Sequence, residues 1–481
     1  MCGLIYLIYF VSSGLAKVGV ASSSLVSRTI PFFMVGFLLA SVAASAATAA
    51  ELGATPPDAY LFRNVRIWDG RGDAPYAGEV LVVGNRIQSV SHEGIAPAPE
   101  LHAIAIDGGG RVLTPGFIDA HVHMSSVLTR QQAEEADPVY VAALEIRGAK
   151  QALLRGFTTQ RDVAGAVFGL KRAIDADYVV GPRIYAAGAA LSQTAGHGDD
   201  RHYIDPPRRL GGGLTLEGRT GMTTIADGVP EVLAAARDQM GHGAAMLKVM
   251  ASGGAASEFD PIEVVEYTPE ELRAAVDVAS SFGTYVTVHS YNSASTRRAI
   301  DAGVRCIEHG HLVDEPTMKL IADRGIFLST NVVVYEVPPP GISETQRAKF
   351  LQVRAATDAM MKLAKKYHVK LGFGTDLVFG LEQMARQNRE FTLRSRWFSA
   401  VEILRQVTSG NAELLAMSGR RNPYPGKLGV IEEGAYADIL LINGEPLQDI
   451  TLLEHPEVAL ALIMKDGRIY KNQLSSAGAA R

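Results

Sequence analysis

Cysteine is nearly absent: Cys2 and Cys306 are the two in 481 residues. If the N-terminal region is removed, Cys306 stands alone, no intramolecular disulfide is available, and stability rests on burial. A basic surplus is also lacking. The chain carries 46 Lys and Arg against 51 Asp and Glu, a net charge of −5, and it shows no nucleic-acid motif, so no nucleic-acid partner is expected. Beyond residue 55 no apolar run reaches membrane-spanning length. No repeat of 20–50 residues is visible.

The first fifty residues read as a targeting segment. Arg28 precedes the apolar run PFFMVGFLLA (31–40), which is followed by the small residues SVAASAATAA (41–50). Charge, apolar stretch and small-residue cleavage site come in the order of an export signal, so a periplasmic or secreted location is expected. The upstream run Leu4–Phe10 fits an early start codon or, alternatively, an uncleaved membrane anchor.

The remaining length suits an α/β barrel with a smaller domain attached. Residues 59–115 read as short β-branched runs separated by Asn, Asp and Gly, and residues 427–475 repeat the style, with Asp466-Gly467 as a hairpin signal. These two pieces are expected to pair into one small β-sandwich built from both ends of the chain. Between them, residues 116–426 alternate apolar strands with amphipathic helices. GFIDAHVHM, FTTQRDV, RIYAAG, AMLKVMA, TYVTVHS, CIEHG, IFLST and LGFGTD are the strand candidates, and eight β/α units in one run point to a (β/α)8 TIM barrel.

Chemistry concentrates at the ends of these strands. His121 and His123 lie at i and i+2, so both imidazoles project to one face and can reach one metal. Alone, such a pair is a weak signal that more often reflects packing or solvent-facing histidines. Preceded by Pro115–Asp119, it forms PGFIDAHVH, which resembles the first-strand signature of the amidohydrolase superfamily. The other ligands that the resemblance implies follow in order: Lys248 in AMLKVMASGG, His289 in TYVTVHS, His309 in CIEHGHLVD and Asp376 in LGFGTD. Each has a bland alternative. Lys248 fits an ion pair or a surface amine, and Asp376 fits a turn or helix cap. His311 competes with His309, although the family's E-H-G pattern favours His309.

The resemblance implies a carbamate on Lys248, derived from CO2, bridging two divalent metal ions. Zinc is expected from the imidazole and carboxylate ligands, with Mn, Co or Fe open. His121, His123 and Asp376 would hold one ion, and His289 and His309 the other. Asp376 would also move the proton from the attacking water to the leaving amine.

SQTAGHGD, LKVMASGG, VTVHSYN, CIEHGHLVD and GFGTD are similar to one branch, the Xaa-Pro dipeptidase-like and imidazolonepropionase-like amidohydrolases, which include ochratoxin-hydrolysing enzymes. This resemblance spans about residues 60–470. It implies hydrolysis of an amide that joins an acyl group to an amino acid with a free carboxylate: Xaa-Pro or other dipeptides, N-acyl amino acids and ochratoxin-type amides. The alternatives are a cyclic-amide hydrolase of the imidazolone or hydantoin kind, against which Lys248 argues, and a non-catalytic barrel, against which the full ligand set argues. His197 is expected to contact the substrate carbonyl or act in catalysis. Tyr291, Tyr203 and Arg201 are candidates for the substrate carboxylate, with loop or core packing as their alternative. The Pro-rich run at 332–343 is expected to line the pocket mouth, and assembly into a homo-oligomer is expected.

Overall fold

The computed structural model describes residues 59–474 apart from Pro340. The targeting segment expected over residues 1–50 lies outside the described residues. The chain divides into residues 1–56 and 57–481, and the described residues belong to the second unit. Among them no helix is long and apolar enough to cross a membrane.

Five strands come first: β1 (Ala59–Ile67), β2 (Tyr76–Val83), β3 (Arg86–Ser91), β4 (Ile104–Asp107) and β5 (Val112–Pro115). Ten follow through the middle of the chain: β6 (Phe117–Val122), β7 (Phe157–Asp162), β8 (Arg183–Ala186), β9 (Ala190–Ser192), β10 (Thr223–Ile225), β11 (Leu247–Met250), β12 (Val286–Asn292), β13 (Cys306–Leu312), β14 (Phe327–Thr330) and β15 (Leu371–Phe373). The last three are β16 (Ile439–Ile442), β17 (Leu460–Lys465) and β18 (Arg468–Asn472).

The two ends of the chain share one eight-stranded sheet, ordered β18-β17-β16-β5-β1-β2-β3 with β4 beside β1. β5 and β16 join them antiparallel, Leu113 opposite Leu441. β17 and β18 turn at Asp466 and Gly467, with φ of 52° and 70°. Both are left-handed, as a two-residue hairpin of matching twist demands. Ile87 N–H donates to the Ala435 carbonyl and Ala437 N–H to that of Asn85, both at 2.9 Å. The free edge of β3 thus reaches back to the chain entering β16. The sheet therefore curls around its own apolar filling of Phe62, Val80, Ile87, Leu113, Ile439 and Leu462. Where two facing sheets were expected, strand twist folds one continuous sheet onto itself.

Every strand candidate between residues 116 and 376 forms a strand. The structure adds β9 and β10, of three residues each. All pair parallel, in the orders β6-β7-β8 and β10-β9-β11-β12-β13-β14-β15. Backbone hydrogen bonds link the two sets at both margins: Ala245 N–H to the Ala186 carbonyl, and Asp376 N–H to the His121 carbonyl, each 2.8 Å.

Parallel strands need helical crossovers, and the local signals set them. Thr268 and Glu271 form a capping box on Pro269–Phe282, which stops at Gly283 with φ 76°. Alternation along the strands then sorts the side chains. Leu247, Val249, Val286, Val288, Ile307 and Leu328 join the helices' Val278, Met318 and Ile321 in the largest apolar cluster. Lys248, Thr287, His289 and Glu308 alternate with them and are buried on the other face.

Candidate active site

Five elements deliver the ordered ligand candidates to one cavity of ≈ 520 Å³, lined by His121, His123, Lys248, His289, His309 and Asp376. Three ligand atoms meet within it. His121 Nε2 and His123 Nε2 lie 3.1 and 3.2 Å from Asp376 Oδ1, and 3.3 Å from each other. Both histidines spend their other nitrogen elsewhere: His121 Nδ1 bonds Glu308 Oε2 at 2.8 Å, and His123 Nδ1 bonds the Ala164 carbonyl at 2.9 Å. A carboxylate and a carbonyl can accept but not donate, so Nδ1 carries a proton in each ring, and in the neutral rings that bind a metal both Nε2 lone pairs face the Asp376 carboxylate. Three acceptors at such range repel unless a cation sits among them. Tetrahedral ligands at about 2.0–2.1 Å from an ion stand about 3.3 Å apart, so the triangle fits one divalent cation. Among the described residues it is the one group of His, Cys, Asp or Glu so closely gathered.

The second half of the set is looser. His289 and His309 pack ring against ring, centroids 4.5 Å apart, and His309 Nδ1 lies 3.7 Å from Asp376 Oδ2. Lys248 is 1% exposed, and among the described residues no carboxylate stands within ion-pair distance. Burial, set against the attraction of Glu308 and Asp376, holds its ammonium below the ordinary lysine range. At the sixth strand candidate the choice is spatial. His309 lines the cavity, while His311 Nε2 turns to the Asn331 carbonyl at 2.9 Å, and burial lowers its pKa to about 4.

Two ligand candidates are held in strained backbone. His309 and Asp376 have φ of 73° and 55°, a left-handed conformation that costs a residue with a Cβ about 1–3 kcal/mol. The bond from Asp376 N–H to His121 fixes one of them.

His197 lines the same cavity and stacks on His289, centroids 4.1 Å apart and planes 20° off parallel. Tyr291 also lines it and stacks on His309 at 4.9 Å, with its hydroxyl bonded to that of Tyr335. Tyr335 lies in the Pro-rich run, where Val334, Pro339 and Ile342 line the cavity too. Arg201 and Tyr203 are placed elsewhere. Arg201 pairs with Asp199 and lines a neighbouring cavity, and Tyr203 is 90% exposed.

Sequence reasoning missed Glu308 and Arg161, both fully buried beneath the histidines. Arg161 Nη2 and Glu308 Oε1 lie 2.6 Å apart, and Thr287 Oγ1 also donates to Glu308. Burial opposes the charge on Glu308, but Arg161 and His121 hold its pKa well below the ordinary value. Charged residues inside apolar strands were the available signal. Asp119 is similarly enclosed, accepting from Thr375 Oγ1 at 2.6 Å and Gln387 Nε2 at 2.8 Å.

A model of the amidohydrolase family matches residues 112–470. Ochratoxinase from Aspergillus niger is 30% identical over 411 residues, 82% of this chain and 84% of its own. A prolidase solved with N-methylphosphonate-L-proline superposes with a TM-score of 0.79 at 34% identity, covering 86% of this chain and 100% of that one. A Xaa-Pro dipeptidase with methionine in its active site gives 0.72 at 28% identity over the same shares.

Proposed function

The chain belongs to the amidohydrolase family and is a hydrolase acting on C–N bonds; from that premise we propose a binuclear enzyme that releases a C-terminal amino acid from a dipeptide, an N-acyl amino acid or an ochratoxin-type amide. The observation that carries this reading is the triangle of His121 Nε2, His123 Nε2 and Asp376 Oδ1, with edges of 3.1–3.3 Å. The links at both margins of the parallel strands, together with the family's architecture, support a closed (β/α)8 barrel with these residues at one mouth.

His121, His123 and Asp376 would hold one divalent ion and His289 and His309 a second, zinc being the expected metal. When bound, the metals supply Lewis acidity toward the scissile carbonyl and bring the pKa of water toward neutrality. Lys248 would hold both ions as the carbamate its uncharged amine forms with CO2, with loss of a proton, and burial works toward that uncharged form. Asp376, as the carboxylate, would accept the proton of the attacking water and return it to the departing amine nitrogen. His197 and Tyr291 border the space a substrate would fill. Val334, Pro339, Ile342 and Phe350 along one wall suit an apolar acyl group. The charge–apolar–small order of residues 28–50 supports export, and a homo-oligomer is part of the same reading.

The test is a panel of N-acyl amino acids and Xaa-Pro dipeptides, read by release of the free amino acid, with metal counted in parallel. We expect two ions per chain, loss of metal on Lys248→Ala, and retained metal with most turnover gone on Asp376→Asn. Wild-type rates from Asp376→Asn would exclude its role in moving the proton.

A further inference from the structure

His197 is held far more firmly than a loop residue needs to be. Its ring lies on His289 and leaves no room above Gly254, where a Cβ would fall 2.1 Å from Cε1. Its main-chain N–H donates to Glu266 Oε1 at 2.8 Å. Nδ1 lies 2.7 Å from Ser257 Oγ and 3.2 Å from Asp260 Oδ2. Asp260 Oδ2 also receives the Ser257 hydroxyl at 2.6 Å and Gly254 N–H at 2.6 Å.

These contacts determine where the protons sit. A carboxylate surrounded by donors only accepts, so Ser257 gives its hydroxyl proton to Asp260. The Ser257 oxygen is then left to accept from His197. The imidazole therefore carries a proton on Nδ1, and in the neutral ring Nε2 is bare. Nε2 has no hydrogen-bond partner among the described residues, and the ring borders the cavity.

The clamp is itself braced from a distant element. Lys349, on the helix Glu344–Lys366, is 8% exposed and offers Nζ to the carbonyls of Gly254, Ser257 and Asp260 at 3.2, 2.8 and 2.7 Å. A buried ammonium with three carbonyl acceptors is satisfied without a counter-ion. It draws the turn carrying Ser257 and Asp260 into one shape.

The geometry points to Asp260 as a positioning residue for the hydrolysis: through Ser257 it fixes the His197 ring and its Nδ1–H tautomer, presenting Nε2 to the substrate, with Lys349 bracing the loop that does this. This rests on the amide-hydrolase reading for the identity of the substrate, but the tautomer stands apart from it.

A double-mutant cycle joined to a spectroscopic readout tests the assignment. Asp260→Asn is expected to lower kcat/KM on the order of tenfold in the otherwise native enzyme and to cost nothing further once His197→Ala is present, with bound metal unchanged. Ser257→Ala serves as a second variant if Asp260→Asn folds poorly, with the same expected pattern. In ¹⁵N spectra of histidine-labelled protein, the signal lost on His197→Ala should report Nδ1–H in the wild type and a changed tautomer balance in Asp260→Asn. An equal loss in both backgrounds, or Nε2–H in the wild type, overturns the assignment. If the wild-type protein cleaves no amide of the panel, the functional reading falls, while the tautomer signal still decides on the clamp.

Discussion

At the scale of single residues, the site depends on groups that never touch a substrate. Glu308 accepts from His121 Nδ1 at 2.8 Å and is held by Arg161 at 2.6 Å, all three at 1% exposure or less. Such a carboxylate fixes the ligand's tautomer and raises its basicity, and losing it costs about 10–100-fold in metal affinity or activity. Glu308→Gln should therefore weaken metal retention by about that factor, measured by chelator competition; retention at the wild-type level would remove Glu308 from this role. A second residue-scale effect concerns pH. Burial alone raises the Glu145 carboxyl from 4.5 to about 7, and Glu145 lines the cavity. The folded chain then binds more protons than the unfolded chain between the two values, so this group lowers stability as pH rises from about 4.5 to 7. Glu145→Gln should melt higher than wild type above pH 7 and alike below about pH 4.5. A constant difference across that range would assign the effect to something other than ionisation.

At the scale of elements, what matters is how closely the first parallel strand meets its neighbours. Gly116 joins β5 to β6, and a Cβ there would fall 2.2 Å from Thr158 Oγ1 on β7. Its N–H donates to the Asp438 carbonyl at 2.9 Å, so both sheets meet at this residue. Gly116→Ala should cost about 1–3 kcal/mol through overpacking, read from denaturant unfolding. Wild-type stability would show that β6 and β7 separate freely. The other eight parallel strands were legible because apolar runs recur between capped helices. β9 and β10 were not, because β9 follows β8 with no helix between them and is placed by partners distant in the chain, β10 on one side and β11 on the other.

At the scale of the molecule, the curled sheet and the parallel strands are locked by buried charge. Arg183 of β8, 2% exposed, pairs with Asp438 and Asp466, which flank β16 and β17. Removing one partner of a buried pair costs about 3–5 kcal/mol. Asp438→Ala should thus lower the melting temperature while leaving the ligand triangle's metal binding intact in the folded fraction, and an unchanged melting temperature would count against this lock. The order of the ligands, from His121 to Asp376, was set by sequence alone, because strand alternation and Gly-rich turns are local and need no partner. So was the pairing of the chain's two ends, since each alternates apolar and polar residues and must find a second β surface to cover its apolar face. Tertiary structure alone decided that Glu308 and Asp260 stand behind the histidines, and that Arg201 and Tyr203 point away from the cavity. Each of these depends on which side chains meet across strands and loops distant in the chain, and on where burial leaves a polar atom a single partner.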